Sequence, residues 1–201
     1  ANLLFGTGAG ASLTEALVYV RDGQSAASTL SGNFTASNFT KFGPGNLHIS
    51  GTDNVMYPII SGTGTAIRTL AIQEGSLTFA GQSSVPANAL ILPNDSGSFN
   101  VNGLNLMVAG LGYNGNTFDG SLGTGIVTNN GGSPATLTLA TQAGGTFGQT
   151  FGAVFGGVIR DGTSTLALNF NGSGTQMLAS NSTYSGGTTI NSGSTLNVGS
   201  G

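Results

Sequence analysis

Two stretches of this chain, far apart in the sequence, read alike over tens of residues. Residues 17–23 are LVYVRDG and residues 156–162 are GGVIRDG. After Gly23 come Thr29-Leu30, then Asn33-Phe34-Thr35, then KFGPGNLHISGTDN at 41–54. After Gly162 come Thr165-Leu166, then Asn169-Phe170-Asn171, then GSGTQMLASNSTY at 172–184. Both copies finish in a Gly-initiated strand, EGSLTFAG at 74–81 and SGSTLNVGSG at 192–201. The text before each copy matches as well, ANLLFGTGAG at 1–10 against ATLTLATQAGG at 135–145. A repeated unit too small to bury a face alone buries it against its neighbours, so an internal repeat selects a stacked architecture over a closed globule.

The repeated unit is made of strands. Apolar and polar residues alternate in TLTLA (136–140), SLTFAG (76–81), NLHISG (46–51), TLNVG (195–199) and FNVNGLNLMV (99–108). One apolar face opposite a face of Thr, Asn or Ser is the pattern of a half-buried strand. Gly, Asn or Asp-Gly closes each run, and these residues tolerate the left-handed backbone of tight turns. Ser12-Leu13-Thr14-Glu15 has the form of a helix capping box, but the Val18-Tyr19-Val20 that follows favours strand.

Short strands, Gly corners and a repeat predict an all-β chain without substantial helix, folded as a right-handed parallel β-helix. Its strands stack about 4.8 Å apart along the axis. Composition agrees. Gly, Thr, Ser and Asn number 36, 25, 22 and 19 of 201 residues, half the chain, and only 5% of residues are charged, against about 25% in an ordinary soluble domain. Ladders of like charge would repel between coils, whereas Thr and Asn pair. At roughly 20 residues per coil the chain makes about nine rungs. The expected organisation is one solenoid over 1–201, with a diverged unit at 1–81, spacer rungs at 82–153 and a well-formed unit at 154–201.

The same composition removes several function classes. Four Lys plus Arg are too few for a nucleic-acid interface, which contacts about six to ten phosphates. The longest stretch without a polar side chain, FGAVFGGVI at 151–159, is far short of the about 20 apolar residues of a spanning helix, so no membrane insertion is expected. Cysteine is absent, which excludes disulfides, thiolate zinc sites and a Cys nucleophile.

Catalysis is short of material. His48, the one His, sits in an alternating strand with Leu47 and Ile49 inward, and so faces solvent. The carboxylates Glu15, Asp22, Asp53, Glu74, Asp95, Asp119 and Asp161 form no local pair of the kind a glycoside hydrolase uses. Neither the acidic twelve-residue loop nor the Gly-Asp nonapeptide of calcium sites is present. Gly6-x-Gly8-x-Gly10 lacks the acidic partner of a dinucleotide fingerprint. We therefore expect no catalytic residues, no metal and no cofactor, and no enzyme. Arg21, Asp22 and Gly23, with Arg160, Asp161 and Gly162, are read as one structural turn used twice.

Residues 154–199 resemble the autotransporter-associated β-strand repeat, also called the passenger-associated transport repeat. The positions that carry the likeness are Gly157, Ile159, Asp161, Gly162, Leu166, Leu168, Gly172, Gly174, Leu178, Asn181, Tyr184, Gly186, Thr188, Ile190, Gly193 and Leu196. Residues 97–150 resemble the spacer that commonly precedes it, and residues 19–81 a diverged copy in which Tyr57-Pro58 replaces the Gly-Thr turn. The resemblance implies a parallel β-helix in a large exported bacterial protein, often an autotransporter passenger, and no shared catalytic residues. It also implies an extracellular or cell-surface location after export.

The ends suggest the role. The chain starts in a strand, Leu3-Leu4-Phe5, and finishes in one, Leu196-Asn197-Val198. In the diverged copy the counterpart of that last strand leads straight into QSSVPANALIL at 82–92. The expected function is a non-catalytic extracellular structural protein. Its partners are copies of itself, joined head to tail through these six residues into a filament or surface layer. A stalk or adhesin segment binding surface glycan or protein is the alternative, and a polysaccharide-degrading β-helix enzyme a third.

Overall fold

A computed structural model describes residues 3–5, 14–22, 27–56, 68–86, 89–112, 124–141 and 153–199. Among them the only helical piece is one 3-10 turn, Gln82–Ser84. The strands are β1 (Leu3–Leu4), β2 (Ala16–Tyr19), β3 (Ser28–Leu30), β4 (Phe34–Ala36), β5 (Phe39–Phe42), β6 (Asn46–Ile49) and β7 (Val55–Met56). Two long strands follow, β8 (Thr69–Phe79) and β9 (Leu90–Asn100). Next are β10 (Leu106–Val108), β11 (Gly110–Leu111), β12 (Ile126–Thr128), β13 (Ala135–Leu139) and β14 (Ala153–Phe155). Last come β15 (Val158–Ile159), β16 (Leu166–Phe170), β17 (Thr175–Leu178), β18 (Thr188–Ile190) and β19 (Thr195–Val198).

Every ladder between these strands is parallel, an arrangement consistent with a β-helix. The ladders fall into three columns. In the first, β2, β5 and the opening halves of β8 and β9 pair in turn, and β11 adds to β9; β14, β17 and β19 continue as a sheet of their own. In the second, β3, β6, the closing halves of β8 and β9, β12 and β15 follow one another. The third holds β1, β4 and β7, then β10, β13, β16 and β18. β8 and β9 serve two columns each. The Gly75 and Gly97 corners read from sequence are bends inside continuous strands, with a register shift between Ile72 and Glu74.

Inward and outward positions follow strand parity. In the second column Leu47, Leu77, Phe99, Val127 and Ile159 stack in register and are all buried. In the third, Leu137 lies over Leu106 and Leu168 over Leu137, also buried. Burying each such side chain contributes about 1.5–3 kcal/mol. The outward residues form polar ladders. Asn191 Nδ2 donates to Asn169 Oδ1 at 2.8 Å, Asn169 Nδ2 to Thr138 Oγ1 at 3.3 Å, and Ser76 Oγ to Asn46 Oδ1 at 2.8 Å. Uncharged donors and acceptors pair along a stack in which like charges would repel, so the low charge content has a structural cause.

The interval between stacked residues is less regular than 20. Ser28 pairs with Leu47, Leu90 with Gly110 and Thr175 with Thr195, at 19 to 20 residues. Phe39 pairs with Leu70, Leu106 with Leu137 and Ile126 with Val158, at 31 to 32. The long intervals all contain residues of 57–67, 113–123 or 142–152, which lie outside the described residues.

Candidate functional site

The two Arg-Asp-Gly phrases do not occupy equivalent corners. Arg21 and Asp22 follow the first-column strand β2, whereas Arg160 to Gly162 follow the second-column strand β15. Gly23 lies outside the described residues. Asp161 is exposed at the backbone turn but well occupied. Its carboxylate accepts from Leu166 N–H at 2.7 Å, from Ser185 N–H at 3.1 Å and from the Ser185 hydroxyl at 2.5 Å. The Ser185 hydroxyl and the Leu166 amide hold its pKa below the usual carboxylate range. It thus ties its own turn to the coil above. Gly162 is not in the left-handed region. Its requirement is contact: a Cβ there would lie 2.1 Å from Asn130 Oδ1 and 2.5 Å from Asn129 O in the coil below. Arg160 is exposed and bridges Thr183 through its backbone.

The corner that Asp161 caps is polar in other coils too, and sequence reasoning did not see it. Asn54, buried, accepts from Phe34 N–H at 3.0 Å and donates to Gly51 O and Ser84 O. Asn129, fully buried, accepts from Gly103 N–H at 2.7 Å and Gly131 N–H at 3.3 Å, and donates to Ser133 O at 2.9 Å and Thr165 O at 2.8 Å. One amide thus joins three successive coils.

Glutamine amides stitch the two places where a column changes sheet. Gln176 is fully buried; its Oε1 accepts from Leu111 N–H at 3.0 Å, and Nε2 donates to Leu111 O and Ala153 O at 3.0 Å. Gln82 does the same for Met107, accepting from its N–H and donating to its carbonyl at 3.1 Å. Each side chain imitates a peptide unit of the missing strand and satisfies backbone groups that would be costly to leave unpaired.

Lys41 is the most unexpected residue. It stands between Val18 and Ile72 on the inward ladder of the first column, and its side chain is fully buried. Its Nζ donates to Gly43 O and, at 2.6 Å, to Glu74 O. Gly75 makes the room: with φ +63°, a Cβ there would lie 2.6 Å from Nζ. Burial lowers the amine pKa to about 8 from 10.5, with the Glu74 carboxylate opposing the shift. Between about pH 8 and 10.5 the unfolded chain therefore binds the proton that the native chain has released, so stability rises with pH there. The urea midpoint should climb from pH 8 to pH 10 in the native sequence and stay flatter in Lys41→Met. Parallel slopes in the two proteins would refute the assignment.

The other polar candidates are ordinary. His48 is outward and half-buried, a ring nitrogen 2.9 Å from Thr78 Oγ1. Glu15 accepts from Thr40, and Asp53 from Asn33 Nδ2 at 3.3 Å. Asp119 lies outside the described residues, as does Tyr57. Among the described residues no three of His, Cys, Asp and Glu come together, and no helix is long and apolar enough to cross a membrane.

What remains is the two ends. β18 and β19 each have one partner strand, β16 and β17, and so do β1, β2 and β3 at the other end. Residues at inward positions are laid bare there. Val198 is 75% exposed although it continues the ladder of the buried Leu178, and Ile190 is 52% exposed over buried Phe170. Leu3 is exposed over buried Phe34. Leu196 is half-buried, Asn197 and Leu4 face outward, and Phe5 packs on the core. Beside β18 and β19 opens a cavity of about 760 Å³, lined by Leu178, Ser182, Tyr184, Thr188 and Val198 among others. The Tyr184 hydroxyl lies 2.6 Å from that of Thr188, so the ring is held at the turn.

Residues 168–198 match the family model of the passenger-associated-transport-repeat. That span runs from β16 to β19 and includes the cavity and the C-terminal edge. A repeat of this kind implies an autotransporter-associated, passenger-type protein and suggests export to the cell surface. No curated protein and no solved structure matches the chain.

Proposed function

We propose that the chain is a non-catalytic structural subunit, a right-handed parallel β-helix that stacks end to end into a filament or surface layer outside a bacterial cell. The hand follows from crossovers between parallel strands, which are right-handed in about 98% of cases. Coils longer than 20 residues bring the rung count somewhat below nine. The observation that carries the reading is the chemistry of the edges. Proteins that keep a sheet edge single protect it with charge, Pro or a bulge. The outermost strands here read LL, ALVY and STL at one end and TTI and TLNV at the other, with none of these. A head-to-tail contact between unlike ends propagates without closing.

Negative-stain micrographs and sedimentation of the purified chain should show fibres growing with concentration. Val198→Lys places a charge on the inward ladder above Leu178. It should leave the monomer folded and raise the concentration needed for assembly by roughly a hundredfold or more, since an unpaired buried charge costs several kcal/mol. A native chain that stays monomeric at high concentration would end the proposal.

A further inference from the structure

We infer that the C-terminal coil of one copy receives the N-terminal coil of a second copy column upon column, with Val198 over Val18 and Ile190 over Phe5. This rests on the end-to-end reading and adds the strands and register through which it works. The columns themselves supply the argument. At the C-terminal end β19 closes the first column and β18 the third. At the N-terminal end β2 opens the first and β1 the third. Superposing columns puts β19 against β2 and β18 against β1.

Parity then fixes the register. Val198 follows Leu178 on the inward ladder, and Val18 is the inward residue that precedes Lys41. Ile190 follows Phe170 inward. The Phe5 N–H bonds to Thr35 O at 2.9 Å, which aligns Phe5 with the buried Ala36. A slip of one residue would turn every inward side chain outward; Val198 would then meet Leu17 or Tyr19, both 61% exposed on the outer face. The second column agrees independently. Its inward ladder is apolar from Leu47 to Ile159 but ends in Ser28 at one extremity. At the other it ends in Ser182, whose hydroxyl accepts from Ile159 N–H at 3.2 Å. The two ends thus match apolar to apolar in the first and third columns and hydroxyl to hydroxyl in the second. The strands that meet carry no charge, and their free N–H and C=O groups supply a backbone ladder as in strand addition.

The native chain has no cysteine, so engineered pairs report the contact cleanly. Stacked parallel strands bring paired Cα atoms within about 5 Å, inside the disulfide range of about 4.4–6.8 Å. Oxidising the assembled double variant Val18→Cys/Val198→Cys with oxidised glutathione forms the bond between copies, two thiols giving one disulfide while the glutathione disulfide is reduced. A non-reducing gel should show a ladder of covalent oligomers that collapses on reduction. The control Tyr19→Cys/Val198→Cys offers an exposed thiol one residue out of register and should give less than a tenth of that yield. Fibres in the microscope with no ladder from the first pair, or with equal or greater yield from the control, would overturn the register and leave the filament reading standing. Neither fibres nor ladder would overturn both.

Discussion

Asn129→Leu should lower the stability of the folded chain by about 4 kcal/mol, read as a shift of the urea midpoint. Leucine fills nearly the same volume, so the loss comes from hydrogen bonding alone. The asparagine amide satisfies Gly103 N–H and Gly131 N–H with one atom and Ser133 O and Thr165 O with the other, and it is fully buried. After the substitution those backbone groups have neither protein nor water to bond, at about 1–3 kcal/mol for each buried group left unmade. Some will relax towards one another, which keeps the total below the sum. Gly103 and Thr165 belong to the coils before and after Asn129, so amide exchange should quicken in both neighbours. The adjacent Asn130 is the control. It is exposed, and its replacement by alanine should cost less than about 1 kcal/mol. Similar losses at the two positions would show that the buried amide does not hold the coils together.

The strands and their faces were legible because they depend on short-range parity. NLHI at 46–49 and ATLTL at 135–139 alternate in sequence and alternate in burial. Column identity was not legible. The residues after Tyr19 and after Ile159 spell the same phrase, yet one turn leads into the second column and the other into the third. All corners of a stacked coil ask for small residues and turn formers, so equal text does not mark equal place. The β8 and β9 bends were missed for a related reason. Gly75 (φ +63°) and Asp95 (φ +43°) have turn chemistry, but the parallel neighbours on both sides keep the ladder running through them.

The polar interior was hidden more deeply, although a signal existed. FTKF puts Lys41 at the parity of Phe39, and TQML puts Gln176 at the parity of Leu178. A polar residue at an inward position demands a buried partner. Such a residue announces that a partner exists without saying where, because the partners lie up to 65 residues away, as Leu111 does from Gln176. The end surfaces were partly legible: Leu196 and Val198 follow from alternation, whereas their match to the N-terminal coil needs the column order.

Gly172→Ala should be at least as damaging as the loss of the buried amide, costing about 3–5 kcal/mol, although it adds a single methyl group. An ideal Cβ at Gly172 would stand 1.9 Å from Thr141 O and 2.8 Å from Thr141 N and C. Those are backbone atoms, so no side-chain rotation relieves the overlap; the coils must part. Parting them breaks the contacts that surround the corner. Gly172 N–H donates to Ser194 Oγ at 2.8 Å, Ser194 Oγ donates to Gly172 O at 2.7 Å, and Gly174 N–H reaches Thr141 O at 2.9 Å. Strain of this kind is among the few mechanisms by which one substitution costs more than about 4 kcal/mol. Gly132 sets the scale, because a Cβ there meets nothing within 4 Å and its backbone is not left-handed. Gly132→Ala should be neutral, or stabilise by up to about 1 kcal/mol through the unfolded chain. If the two variants melted together, close coil contact would not be the reason for glycine at 172. Within the matched repeat of 168–198, the glycine would then mark a turn preference instead of the distance between neighbouring coils.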